Sequence, residues 1–133
     1  MRKTLLLIFL ILLTFSSFKK PSQIDINLLY KTWIFTITEN KPYPIFHYKV
    51  SDSIKDYPAY KFLKSGKLIV RQNLTLCPVG VTKMKYETVL GSWKFNTDSV
   101  IQLKYKSLGK ERVHRYKITL LNEEELALSV KTK

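Results

Sequence analysis

The stretch Met84–Val130, MKYETVLGSWKFNTDSVIQLKYKSLGKERVHRYKITLLNEEELALSV, decides the fold. It consists of short segments in which apolar and polar residues alternate, and turn residues separate each segment from the next. Alternation with a period of two residues is typical of strands that bury one face and expose the other to water. None of these segments has the period of a helix. Strands at such even spacing, joined by short turns, predict an antiparallel sandwich or barrel.

Turn residues mark the ends of these strands. Asn96-Thr97-Asp98 and Asn122-Glu123-Glu124 contain side chains that bond their own backbone, and Ser107-Leu108-Gly109-Lys110 contains glycine. The apolar faces between the turns are Trp93 and Phe95; Ile101, Leu103 and Tyr105; His114, Tyr116, Ile118 and Leu120; and Leu126, Leu128 and Val130. We interpret Trp93, and Trp33 of an earlier segment, as core residues, because buried aromatic side chains dominate small β cores.

Segments before Met84 continue the pattern. Further strands are predicted at Thr32–Thr38, Ile45–Val50, Tyr60–Leu63, Lys67–Asn73 and Val81–Leu90. In the first, Trp33, Phe35 and Ile37 share a face, and in the last Met84, Tyr86, Thr88 and Leu90 do. Ile24–Tyr30 has the spacing of a short helical turn. Together these segments predict an all-β fold, a single up-and-down antiparallel barrel of eight or nine strands with a short N-terminal helical turn.

The N-terminus has the pattern of an export signal. A basic start with Arg2 and Lys3 precedes an unbroken apolar run, Leu5–Leu13, which is short for a membrane span. We predict a signal peptide over residues 1–17, with cleavage after Ser16, a linker over 18–23 and the barrel domain over 24–133. The protein is then secreted or periplasmic. Two lysines directly after the signal favour the alternative of an uncleaved membrane anchor, because early positive charge opposes translocation.

Composition and charge limit the partners. The chain has 133 residues, which predicts one domain, and 23 Lys and Arg against 10 Asp and Glu give a formal charge of +13. Such an excess is typical of proteins that meet nucleic acid, anionic lipid or envelope polymer. The sequence contains no helix-turn-helix pattern and no aromatic ribonucleoprotein motif, so we predict no nucleic-acid partner. We expect a monomer whose lysines lie on solvated strand faces.

Several motifs, taken in order, resemble those of lipocalin-like domains. Leu28-Leu29-Tyr30-Lys31-Thr32-Trp33 resembles the turn that leads into their first strand, and Tyr60–Leu68 resembles their F-x-x-x-G-x-L hairpin. Gly91-Ser92-Trp93-Lys94-Phe95 resembles their mid-domain G-x-W strand, and Tyr116–Leu121 with Glu125–Leu128 resembles their closing pair. The resemblance is to small secreted bacterial members and implies a closed barrel with a ligand inside. Lys31 replaces a glycine of the family pattern, and Lys131 and Lys133 stand where an arginine packs on the first tryptophan.

Tyrosines supply the candidate binding site. Tyr60, Tyr86, Tyr105 and Tyr116 fall on inward faces by parity, and each carries a hydroxyl that must be wet or paired. Such groups either line an apolar cavity with a few polar atoms, which is typical of ligand pockets, or reach the barrel rim. We therefore predict a small apolar or amphiphilic ligand, whose polar end is held by tyrosine hydroxyls and by Arg71 or a rim lysine.

Other chemistry is not indicated. The sequence has no nucleophile–base spacing, no paired catalytic carboxylates and no phosphate loop, so we predict no enzyme and no cofactor. His114 is predicted in the core or at the rim, and without inward carboxylates it predicts no metal site. Cys77 is the one cysteine and is interpreted as a small buried hydrophobe. The alternative function is a cavity-free structural or interaction module, whose basic outer face meets anionic envelope lipid or polymer.

Overall fold

The computed structural model describes residues 23–40, 42–54, 57–75, 80, 83–96 and 99–130. A 3-10 turn, Ile26–Leu29, precedes the strands. The strands are β1 (Thr32–Glu39), β2 (Ile45–Val50), β3 (Ala59–Phe62), β4 (Lys67–Asn73), β5 (Tyr86–Phe95), β6 (Val100–Ser107), β7 (Lys110–Leu121) and β8 (Glu125–Val130). The predicted signal over 1–17, Cys77 and the C-terminal Lys131 and Lys133 lie outside the described residues.

The eight strands form a closed antiparallel up-and-down barrel, which confirms the predicted fold class. From β3 to β8 each strand pairs with the next along the chain, and β8 pairs with β2. β1 lies between β2 and β3. β2 and β3 are both antiparallel to β1 and therefore parallel to each other. The connection between them must run back along β1 before β3 can begin. Ser51 N donates to Thr32 O at 3.0 Å, and Phe35 N donates to Pro58 O at 2.8 Å.

Both tryptophans lie in the core, as predicted. Trp33 is fully buried, and its Nε1 donates to the carbonyl of Leu29 in the 3-10 turn at 3.1 Å. Trp93 is 9% exposed, and its Nε1 donates to the carbonyl of Leu63 at 3.0 Å. Each indole therefore buries a large apolar surface without leaving its single donor unpaired. We call the end of the barrel that holds the 3-10 turn the turn end, and the opposite end the pocket end.

Lys31, which stands at the glycine position of the resembled pattern, fastens the turn end. Its Nζ donates to the carbonyl of Glu123 at 2.9 Å and pairs with the carboxylate of the same residue. Asn122 shapes that turn, because its Oδ1 accepts from the N–H groups of Glu124 at 2.9 Å and Glu125 at 2.7 Å. The start of β1 is thus connected to the β7–β8 turn.

Two predicted faces are interrupted by irregular pairing. The β1–β2 register shifts between Phe35 and Ile37, and the β7–β8 register shifts between Ile118 and Leu120. An extra residue in one strand reverses the face on which all later side chains lie. Ile37 is therefore 60% exposed and Leu120 39% exposed, although parity predicts both inside.

The predicted inward face of Val81–Leu90 is wrong. Tyr86–Phe95 is one strand with unbroken register, so its faces are set by the buried Trp93. Val89 and Gly91 share that inner face, whereas Tyr86 and Leu90 lie outside, and Leu90 is 77% exposed. Hydrophobic alternation favoured the larger side chains of 84–90, but the interior position at the closest approach of β5 and β6 is a glycine.

Candidate functional site: an aromatic pocket at one end of the barrel

Four tyrosines from four strands meet inside the barrel. They are Tyr48 of β2, Tyr60 of β3, Tyr105 of β6 and Tyr116 of β7. Ring centroids of Tyr48 and Tyr60 lie 5.4 Å apart, and those of Tyr60 and Tyr105 lie 6.3 Å apart. The hydroxyl oxygens of Tyr60 and Tyr105 are separated by 3.3 Å. We call these residues the tyrosine cluster.

Burial keeps the cluster neutral. It raises the pKa of Tyr116 to about 12 and raises the pKa of Tyr48, Tyr60 and Tyr105 above the usual value. Neighbouring phenols add to the rise at Tyr48, Tyr60 and Tyr116, because two phenolates at this spacing would repel each other. At neutral pH every hydroxyl of the cluster therefore carries its proton and can donate a hydrogen bond.

A pocket of about 270 Å³ lies against this cluster at the pocket end. Its lining residues are Phe35, Phe46, Tyr48, Pro58, Ala59, Tyr60, Val70, Arg71, Gln72, Asn73 and Tyr105. Aromatic rings form most of the inner wall, and polar side chains stand at the edge. The volume is slightly below the range of about 300–1,000 Å³ that is common for small-molecule sites.

The short strand β3 begins at the level of the pocket. β3 begins at Ala59, which pairs with Ile34 of β1 on one side and Arg71 of β4 on the other. Beyond this level β1 and β4 continue, but β3 no longer separates them, and Gln72 and Asn73 have no β3 partner. Pro58 and Ala59 therefore line the pocket together with the last residues of β4, Arg71, Gln72 and Asn73.

Gln72 links three strands at the edge of the pocket. Its Nε2 donates to Glu87 Oε2 of β5 at 3.0 Å and to the carbonyl of Lys106 of β6 at 3.2 Å. Glu87 faces inward because it pairs directly with Gln72, which shares the inner face with the buried Val70. The pair holds the far ends of these strands together.

His114 packs against the tyrosine cluster. Its ring stacks on Tyr105 at a centroid distance of 5.3 Å and on Tyr116 at 5.8 Å. Burial, and then the charge of Arg112, lowers the pKa of His114. The histidine is therefore a neutral, half-buried neighbour of the cluster, in line with its predicted place in the core or at the rim.

The structure places three of the predicted tyrosines together inside the barrel and the fourth on its outer face. Tyr60, Tyr105 and Tyr116 lie in the cluster, as parity predicts. Tyr86 lies on the outer face, because it shares the parity of Leu90 and not that of Trp93. Its prediction as an inward residue is therefore wrong.

Arg71 lies at the edge of the pocket, and Tyr86 supports it there. The guanidinium carbon is 5.2 Å from the centroid of the Tyr86 ring, and Nη1 donates to Thr88 Oγ1 at 3.1 Å. Arg71 Nε is buried and has no hydrogen-bond partner among the described residues. The guanidinium is thus held in place at the edge of the pocket.

Sequence reasoning missed the contribution of β2. Tyr48 completes the cluster, and Phe46 packs on Tyr116 at a centroid distance of 5.8 Å. The alternation of Phe46, Tyr48 and Val50 with His47 and Lys49 was visible in the segment and could have placed both rings inside. The pairing of Gln72 with Glu87 has no such signal, because it depends on the register of β4 and β5.

A larger depression of about 430 Å³ lies at the turn end, between the 3-10 turn and β7. The described chain begins in it at Gln23. Its acidic residue Asp25 caps the 3-10 turn, where its Oδ1 accepts from Asn27 N at 3.0 Å. The depression contains none of the clustered aromatic rings, so we do not base a function on it.

Comparison of the chain with protein-family models, curated proteins and solved structures finds no significant match. Within the described ranges, no three His, Cys, Asp or Glu side chains are grouped so that they could hold a metal ion. The same ranges contain no helix long and apolar enough to cross a membrane. The fold and the site together define a small closed β-barrel with an aromatic pocket at one end.

Proposed function

We propose that the protein binds a small apolar or amphiphilic molecule in the pocket at the pocket end. The observation that carries this proposal is the combination of aromatic walls with hydroxyl groups that converge from several strands. Apolar walls with few, well-placed polar atoms are typical of ligand sites. The alternative of a barrel without a cavity is less favoured, because the pocket has about 270 Å³ of space.

Hydrogen bonds within the cluster leave at least one hydroxyl proton available for a bond to a ligand. Tyr60 is the centre of the group, because its hydroxyl oxygen lies 3.3 Å from that of Tyr105 and its ring centroid lies 5.4 Å from that of Tyr48. A phenol donates once and accepts at most twice. When Tyr60 donates to one neighbour, that neighbour keeps its own proton, which is then available to a ligand oxygen or to water. The cluster can thus fix the orientation of a ligand whose apolar body lies against Phe35 and Phe46.

Arg71 offers a second polar contact at the edge of the pocket. Its positive charge suits a carboxylate or another acidic head group, and the ring of Tyr86 holds the guanidinium in place. An acidic amphiphile can therefore place its apolar part among the aromatic rings and its head group at the edge. This arrangement uses Arg71 as predicted, and it uses Tyr86 as a support and not as a wall residue.

Displacement of a fluorescent fatty-acid-like probe tests the proposal. Tyr105→Phe removes one hydroxyl and little volume, so we expect affinity for a polar-headed ligand to fall by about 0.5–1.5 kcal/mol with little change in melting temperature. Arg71→Gln should lower the affinity for an acidic ligand more than the affinity for its uncharged amide. Tyr43→Phe and Arg115→Gln, both at exposed positions, are the matched controls. A wild-type protein that binds no such probe, with stability losses in the tyrosine variants, would reject ligand binding.

A further inference from the structure

The positive charge of the barrel lies mainly on one side. Seven cationic side chains point outward from β4–β7: Lys67, Arg71, Lys94, Lys104, Lys106, Arg115 and Lys117. In these four strands, all of whose residues are described, Glu111 is the one carboxylate on the outer face. On the other side, β1, β2, β3 and β8 carry outward Lys49 and Lys61 against Glu39 and Glu125. We call the outer surface of β4–β7 the basic face.

Apolar side chains lie in the middle of the basic face. Leu90 is 77% exposed, Val113 is 52% exposed, and Ile69 pairs directly with Leu90 across β4 and β5. Lys67 and Arg71 flank Ile69 along β4. An exposed leucine near the centre of a strand is unfavourable in water, and this one is surrounded by long cationic side chains that can reach past it.

We propose that the basic face docks on the surface of an anionic lipid bilayer. Each lysine or arginine near such a surface attracts acidic head groups, and the field acts over about 8–10 Å, so a face of seven cations acts as a unit. Leu90 and Val113 then enter the boundary between head groups and acyl chains while the cationic side chains extend to the phosphates. This is the arrangement by which amphipathic surfaces lie on membranes without spanning them.

The apolar centre distinguishes a bilayer from a soluble anionic polymer. A polyanion needs only the charges and gains nothing from Leu90 or Val113. A membrane interface binds both the cationic and the apolar side chains, because it has acidic groups above an apolar layer. The row Lys94, Gln102 and Arg115 crosses three neighbouring strands, which are spaced about 4.8 Å apart, so these side chains can reach one lipid surface together.

Vesicle binding by the full chain tests whether the cations of the basic face contribute to docking. We expect binding to vesicles of phosphatidylcholine with about 30 mol% phosphatidylglycerol and much weaker binding to phosphatidylcholine alone. Lys94→Gln should weaken binding about fivefold. Lys49→Gln on the opposite side, where Lys49 pairs across the strands with Glu125, should change it less than twofold. Equal effects of the two substitutions, or equal binding to both vesicles, would overturn the proposal.

A local probe tests the apolar contact and is insensitive to binding by any other part of the chain. An environment-sensitive fluorophore is attached at Leu90→Cys, and for comparison at Ile37→Cys on β1, in chains that carry Cys77→Ser. We expect a blue shift with anionic vesicles at position 90 and none at position 37. Binding to heparin without any shift at position 90 on vesicles would replace the membrane by a soluble polyanion as the partner. Tyr105→Phe should leave vesicle binding unchanged, so this test is independent of the pocket.

Discussion

The hydroxyl groups of Tyr60 and Tyr105 lie 3.3 Å apart inside the barrel, although 45 residues separate them in the chain. Gly91 is what lets Tyr105 take this position. A Cβ at residue 91 would lie 2.8 Å from Tyr105 Cβ and 2.4 Å from the carbonyl oxygen of Lys104. The absence of a side chain at one position of β5 therefore allows β6 to approach and its tyrosine to join the cluster.

Gly91→Ala should lower stability and ligand affinity together. The added methyl group meets the main chain of β6, which cannot move without disturbing its pairing with β7. We expect a loss of about 1–3 kcal/mol in the free energy of unfolding, as for other overpacked interiors, and weaker probe binding as Tyr105 shifts. Chemical denaturation and probe titration measure the two effects. Ser92→Ala, at the next and outward-facing position, should change neither.

Trp93→Ala should remove about 3–5 kcal/mol from the free energy of unfolding, measured by urea titration. The indole packs edge-on against Phe62 at a centroid distance of 5.5 Å and donates to the carbonyl of Leu63. Trp93→Phe keeps an aromatic ring and loses the hydrogen bond, so its loss should be clearly smaller. An unchanged midpoint in Trp93→Ala would contradict the buried position of the side chain.

Leu108→Asn should stabilise the protein. Leu108 and Gly109 have φ angles of +50° and +75° in the two-residue turn between β6 and β7. This turn requires positive φ at both positions, which asparagine adopts at little cost and leucine does not. Leu108 is 54% exposed, so little packing is lost. We expect a gain of about 0.5–1 kcal/mol by thermal unfolding, whereas Leu90→Asn, at an exposed position within a strand, should give no gain.

Alternation within single segments was enough to predict the barrel and most of its core. Ile101, Leu103 and Tyr105 alternate without interruption, and the structure places them inside as predicted. Alternation fails where the pairing between strands changes, as at Ile37 and Leu120, because a bulge depends on the partner strand and leaves no mark in the segment itself.

The same distinction explains which residues of the site could be predicted from the sequence. Tyr60, Tyr105 and Tyr116 were predictable because each lies in a regularly alternating segment next to residues of the core. The alternation over Val81–Leu90, taken separately from Gly91–Phe95, predicts Tyr86 inside, and only the continuous register of β5 reveals its outward parity. The charge separation between the two sides of the barrel was also hidden, since it depends on which strands are neighbours.

Because of His114, the free energy of unfolding should fall as the pH is lowered. Its folded pKa is below the value of about 6.5 in the unfolded chain, so the unfolded state binds more protons in this range. The contribution is fully present above about pH 6.5 and is lost as the pH falls through the folded pKa. His114→Phe keeps a ring between Tyr105 and Tyr116 and should flatten this part of the stability profile, measured by urea unfolding.

The tyrosine cluster should make the fold sensitive to alkali. The folded pKa of Tyr116 is raised to about 12 from about 10, so the folded state holds a proton that the unfolded state releases. By linkage the contribution of this tyrosine is complete below about pH 10 and disappears as the pH rises through about 12, and Tyr48, Tyr60 and Tyr105 act in the same direction. We therefore expect the phenolate absorbance of the cluster to appear together with the loss of the β signal in circular dichroism.

Tyr116→Phe is the sharpest test of this coupling. It removes one of the ionisable groups but keeps the ring that packs on Phe46 and His114. The free energy of unfolding should then fall less steeply with pH between about 10 and 12 than in the wild type. Tyr43→Phe removes a phenol from an exposed position, where the side chain is 48% exposed, and serves as the control. If all clustered phenols ionised while the barrel remained folded, the hydroxyls would be in contact with water, and the enclosed cluster on which ligand binding depends would not exist.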